Sequence, residues 1–167
     1  MKQFFILALI SLALSACVIK GKTIRDVPVL NSQNIHTTQL QNLPSKNISL
    51  QIVDARKEDV FSNQIRSELS RAVTEALTRE GFKVSGTGEN ALVLTINDYE
   101  TKEFKEGCVK IDGALTIPKK AKVSSNSSAC FEAKSPFGQK MSADITKSYE
   151  ESLTNMFKNL NESLNQL

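Results

Sequence analysis

Tryptophan is absent from this chain, histidine occurs once and cysteine only three times. Each scarcity removes a class of function. With no Trp and aromatics at 6%, flat platforms for stacking bases or sugars are not expected. One His and three Cys are too few soft ligands for a typical structural zinc site. No Gly-x-Ser-x-Gly elbow occurs, and His36 has no plausible cysteine partner, so neither familiar route to an activated nucleophile is open. The sequence therefore predicts no enzyme, no metal and no cofactor. Basic residues number 21 against 18 acidic ones, with no concentrated basic face, which argues against nucleic acid as a partner. No apolar run reaches the roughly 20 residues that a spanning helix needs.

What is present begins at the N-terminus, "MKQFFILALISLALSAC". Lys2 supplies a positive start, and the apolar stretch Phe4 to Leu14 is broken only by Ser11. Small residues then precede Cys17, which is the layout of a secretory signal. Leu14-Ser15-Ala16-Cys17 also resembles the bacterial lipobox, whose cysteine is acylated and becomes the first mature residue. The resemblance implies a lipoprotein signal peptide over 1–16 and a lipid anchor, palmitate included, at Cys17. Two or more acyl chains hold a protein at a membrane stably, at about 0.8 kcal/mol per buried CH₂. Residue 18 is Val and not the Asp that retains many such proteins at the inner membrane. The expected location is the outer membrane, with the domain facing the periplasm. Cleavage leaves 151 residues, enough for one domain with a real core, and a formal charge of +2.

Residues 17–46 read as the acylated cysteine and a flexible tether, with a short strand at Val27 to Leu30. The stretch is rich in Asn, Gln, Thr and Lys, carries Pro28 and Pro44, and holds no period for long. His36 lies within it and reads as solvated. Residues 47–167 read as a single α+β domain. "NISLQIVD" alternates, with Ile48, Leu50 and Ile52 on one face of a strand. Ile65, Leu69, Ala72, Val73, Ala76 and Leu77 form a helical stripe that ends at Gly81, a helix-cap residue. Arg66, Arg71, Glu75 and Arg79 fall off that stripe and read as its wet face. A short strand, a hairpin turn at Gly86-Thr87-Gly88 and a longer strand with Leu92, Leu94 and Ile96 inward follow. Gly86-x-Gly88 lacks both a third glycine and a following helix, so the phosphate-binding patterns fail.

An alternating pair then spans Val109 to Ile117 and Ala121 to Ala133. "SPFG" at 135–138 reads as a turn, and Met141, Ala143 and Ile145 as a last strand. Ser148 and Glu151 match a capping box opening a helix with Leu153, Met156, Phe157, Leu160, Leu164 and Leu167 on one stripe. The predicted fold is a mostly antiparallel sheet of four to six strands with two helices packed on one face. The other sheet face is polar and open.

"ISLQIVDAR", "ALTREGFKV", "ALVLTINDYE" and the Leu-rich C-terminal helix together resemble the YajG-type bacterial lipoproteins. The layout is also similar to auxiliary lipoproteins of lipid-transport ABC systems and to the lipopolysaccharide-assembly lipoprotein. The likeness covers roughly residues 47–167 and rests on Asp54-x-Arg56 and on the "GF-x-V" at 81–84. It implies a non-enzymatic envelope role and supplies no catalytic residues. Two readings of that role stand open. One is an interaction or assembly factor that docks an envelope protein through the open sheet face or edge. The other is a lipid- or glycan-binding module that uses the seam between helices and sheet. Lys119, Lys120 and Lys122 at a hairpin tip would suit an anionic headgroup but read equally as a solvated tip. Asp54 beside Arg56 reads as structural.

Two cysteines remain. An exported chain meets an oxidising compartment, so Cys108 and Cys130 are expected to be bridged; two buried free thiols are the alternative. Register supports the bridge. With 118–120 as a loop, Ile117 faces Ala121, Leu115 faces Val123 and Val109 faces Ala129 on the apolar side. The same register sets Cys108 opposite Cys130 on the other side.

Overall fold

The structure, a computed structural model, describes residues 27–37, 40, 43–56, 61–102, 106–132 and 139–166. The elements are β1 (Asn47–Asp54), α1 (Ser62–Arg79), β2 (Lys83–Val84), β3 (Asn90–Lys102), β4 (Glu106–Ile117), β5 (Ala121–Glu132) and α2 (Gln139–Leu164). A single 3₁₀ turn, Ser32–Asn34, precedes them. The sheet order is β2-β1-β3-β4-β5. β1 runs parallel to both β2 and β3, while β3–β4 and β4–β5 are antiparallel over far longer ladders. This is the predicted α+β class, five-stranded and mostly antiparallel.

The apolar faces read from sequence meet in one core. Ile48, Leu92, Leu94, Ile96, Val109, Ile111 and Leu115 are fully buried from the sheet, as are Leu69, Ala72, Val73, Ala76 and Leu77 from α1. From α2 come Leu153, Met156, Phe157 and Leu160. Both helices thus cover one face of the sheet. α1 ends as its sequence predicts: Gly81 takes a φ of +84°, and the Phe82 N–H donates to the Leu77 carbonyl at 3.0 Å.

α2 lies unusually close to the sheet. A Cβ placed on Gly113 would stand 2.3 Å from the Met156 sulfur, so any larger residue there would have to push that buried side chain aside. Beside it, the Ser127 hydroxyl donates to the Ser152 carbonyl at 2.6 Å and Ser125 to the Met156 carbonyl at 3.0 Å. Small residues on the strands let the helix in, and their hydroxyls bond its main chain.

Five expectations fail. The segment Met141 to Ile145 is no strand; it belongs to α2, which starts at Gln139. Its three-point alternation also contains an i, i+4 pair. The positions 145, 149, 153, 156, 160 and 164 continue in helical phase, so the helical period wins. Ser148 consequently sits inside the helix, buried, and caps nothing. The turn at 86–88 is not a hairpin, because β2 and β3 flank β1 on opposite sides and run the same way. The chain crosses directly over β1 there. A Cβ on Gly88 would lie 2.1 Å from the Ile48 carbonyl carbon, so the crossing needs glycine.

The last two concern the N-terminal segment. Val27 to Leu30 forms no strand. The flexible tether assigned to 17–46 is also wrong for its described part, because Leu30, Ile35, Leu40 and Leu43 join the core. Their spacing fits neither a strand nor a helix, which is why periodicity passed them over. The turn at 135–138 lies outside the described residues.

Candidate interaction surfaces

The described residues between 27 and 46 form a strap in the groove between α1 and α2. Its apolar side chains fill the groove, and charged side chains from both helices grip its backbone. The Leu30 N–H donates to Glu68 Oε1 at 2.7 Å, and Arg71 Nη2 donates to the Leu30 carbonyl at 2.7 Å. Arg79 donates to the carbonyls of Ser32 and Ile35, and the Thr37 hydroxyl to that of Ala76. From α2, Glu150 accepts from the Asn31 N–H and from Asn34 Nδ2, both at 2.7 Å. Thr154 accepts from the His36 N–H and donates to the Asn34 carbonyl. Arg71 and Arg79, read as a wet face, are therefore part of this clamp. Glu68 and Glu150 were not singled out at all, since nothing local in sequence marks a residue that bonds a backbone far along the chain.

Hydrogen bonds from Arg71 hold the Glu68 carboxyl below its ordinary range, against the opposing effect of burial, with help from the Leu30 N–H. Asp54 behaves alike for another reason. Burial pushes its pKa up, but bonds from Arg56 and Ser62 outweigh that and leave it lowered. Arg56 grips both Asp54 oxygens, at 2.8 and 2.6 Å, and the Ser62 hydroxyl adds a bond of 2.8 Å. A carboxylate so fully engaged ties the end of β1 to the start of α1. The structural reading of Asp54 and Arg56 holds.

The opposite sheet face carries no helix among the described residues. Gln51, Asp112, Thr116, Lys122, Ser124, Asn126 and Ser128 are exposed on it, with Ser49, Val93, Thr95 and Ala114 half-buried. Asn97 bonds Asp112 across β3 and β4 there. Cys108 and Cys130 lie on this face and form a disulfide, paired in the β4–β5 ladder as the register argument requires. Their Cα atoms are 4.0 Å apart, the close kind of antiparallel pair. Lys119, Lys120 and Lys122 sit exposed at the hairpin tip, and no carboxylate among the described residues lies within 4.0 Å of them. Cys17 lies outside the described residues. No group of three or more His, Cys, Asp or Glu placed to hold a metal occurs among the described residues, and no helix there is long and apolar enough to cross a membrane.

Comparison with known proteins finds no matching family model. It also finds no matching curated protein. Solved structures do match. An uncharacterized protein is 10% identical with a TM-score of 0.51, over 69% of this chain and 92% of its own. Lipoprotein GNA1162 from Neisseria meningitidis is 10% identical with a TM-score of 0.44, over 67% and 99%. A minor lipoprotein from Acinetobacter baumannii is 12% identical with a TM-score of 0.40, over 75% and 96%. The first shares the fold; the other two are looser likenesses.

Proposed function

We propose that this chain is an outer-membrane lipoprotein, anchored through acyl chains on Cys17, whose periplasm-facing domain is a non-enzymatic interaction or assembly factor of the bacterial cell envelope. The YajG-type likeness of residues 47–167 is part of this reading. One observation supports the docking role over the lipid or glycan binder: the chain's own strap fills the groove between the helices. Leu30, Ile35 and Leu40 are at most 2% exposed there. A lipid binder would keep such a groove free. The polar sheet face, in contrast, carries no helix among the described residues.

The test has two arms. Cys17→Ser should leave the precursor unprocessed and unable to partition with membranes; detergent-phase partitioning of that variant would sink the anchor. A photo-crosslinking residue replacing Thr95 on the open face should then capture an envelope protein in intact cells. The same residue replacing Glu151, exposed on α2, should not. Capture of lipid or glycan alone at Thr95 would replace this reading with the binder.

A further inference from the structure

The two edges of the sheet are built differently. β2 closes one edge with two residues, whereas β5 forms the other with twelve. Natural sheets blunt a long edge with proline, bulges or crowded charge. β5 has no proline, its ladder with β4 has no register shift, and its outward side chains are mostly small.

Among the described residues no strand pairs with that edge, and its outward main-chain groups fall in a definite pattern. Cys108 and Cys130 form a close antiparallel pair, the kind in which the two residues do not bond each other's backbone. The N–H and C=O of Cys130 therefore point away from β4, as do those of Ser128, Asn126, Ser124 and Lys122 by alternation. An independent contact agrees: the Asn126 carbonyl accepts from Asn159 Nδ2 at 2.9 Å, which a carbonyl engaged with β4 would not need. Among the described residues, the main-chain groups of the other four positions make no bond outside the sheet.

We infer that the β5 edge pairs antiparallel with β5 of a second copy of this chain, joining two sheets into one. Three features of the molecule select a second copy. Pairing β5 with the other edge would build an open filament, but β2 is too short to support it, so self-pairing through edges is isologous and closes at two. The register that uses the whole strand places positions 122 and 132 opposite each other, 124 opposite 130 and 126 opposite 128. Position 122 is a lysine and 132 a glutamate, so this register sets residue types of opposite charge across from each other at both ends. Finally, the two-fold axis of such a pair stands perpendicular to the sheet, which puts both helical layers on one side. The strap enters on that layer, where Leu30 and Asn31 meet Glu68 and Glu150. Ten residue steps, at most about 36 Å of chain, separate Val27 from Cys17. Two copies anchored in one leaflet need their chains to leave on one side, and this pairing provides it. That last argument rests on the anchor proposed above. Asn159 occupies the central acceptor in the single chain and swings aside on pairing.

The experiment uses the full chain in its own membranes. Asn126→Cys places a thiol near its two-fold mate, and a short bismaleimide should link most of the chain into dimers. Gln51→Cys, on the same face but on β1, should give none. Unsubstituted chain is the control for the anchor: dimers there would report a free Cys17 and overturn the lipidation, leaving the pairing to be judged with Cys17→Ser in place. In the Asn126→Cys background, Ser124→Pro removes an outward N–H that β4 does not use and should abolish the dimer at least tenfold. Folding of that variant is checked by its intact Cys108–Cys130 bridge. Lys122→Glu should lower the yield several-fold, and adding Glu132→Lys should restore it. Equal linking at positions 51 and 126, failure of the charge swap to restore, or adducts only with another protein would each overturn the second copy as occupant.

Discussion

The two faces of one sheet differ in what they leave available. On the helix side, inward positions of β1, β3 and β4 such as Ile48, Leu94 and Ile111 are apolar and fully buried, and even the groove between the helices is closed by the strap. On the other side small polar side chains meet solvent, and the outer edge of β5 pairs with no further strand among the described residues. The same alternation produces both faces, yet one is spent on stability and the other is the one to which the proposed docking role is assigned. Changes on the helix side should therefore cost stability, and changes on the open side should cost association.

The largest effect expected is in the core. Leu160→Ala or Ile35→Ala should lower stability by about 2–5 kcal/mol, the usual range for truncating a buried aliphatic side chain. Asn159→Ala, at the rim of α2, and Ser124→Ala, on the open side, should stay within about 0.5 kcal/mol. Denaturant midpoints measure all four. The Ile35 variant matters most, because a tether residue would show no effect; a midpoint unchanged by Ile35→Ala would detach the strap from the core.

The disulfide comes next and belongs to the open side alone. It spans 22 residues of sequence, and closing a loop of that size stabilises by about 3 kcal/mol in the chain-entropy model. Cys108→Ala with Cys130→Ala should lose that amount while the register of β4 and β5, set by Val109, Leu115 and Val123, persists. Amide exchange would separate the two: slowed exchange along Leu115 to Ile117 should survive, and faster exchange should be confined to the Cys108 end.

The sequence made the inward faces legible because burial there follows a simple period. α1 was readable residue by residue, and the β4–β5 register followed from two independent patterns that agreed. The strap was not readable, since Leu30, Ile35, Leu40 and Leu43 make no period and their partners lie on two distant helices. The crossing at Gly88 was missed for a related reason. Local turn chemistry does not distinguish a hairpin from a chain that steps over its neighbour. The N-terminal part of α2 was misread because five residues alternate by chance more easily than fifteen.

The clamp gives a smaller, pH-dependent contrast. Glu68 and Asp54 both have folded pKa values below their ordinary 4.5 and 3.8. A depressed carboxyl stabilises fully above its unfolded pKa, and the gain is lost as pH falls through the folded value. Stability should thus be flat from neutral pH down to about pH 5 and then decline. Glu68→Gln should flatten part of that decline. Unfolding midpoints from pH 7 to pH 3 would show it.

The smallest effect is at the tip of the β4–β5 hairpin. Pro118 and Lys119 are its central residues, and the Lys120 N–H donates to the Ile117 carbonyl at 3.2 Å. Proline followed by a residue of positive φ is the layout of a type II turn, whose second central position favours glycine or asparagine. Lys119 holds that position with a φ of +59°, the one non-glycine residue at positive φ among those described. Its Cβ crowds the backbone, and its side chain, exposed, makes no described contact in return. Lys119→Gly relieves the crowding but also frees the unfolded chain, and at a positive φ the first effect is the larger. The net expectation is a gain of about 0.5–1 kcal/mol. Lys120→Gly, where φ is not positive, should lose stability by a similar amount. The pair of substitutions removes one lysine each, so a gain from both would point to relief of charge repulsion at the tip, and opposite signs to the backbone.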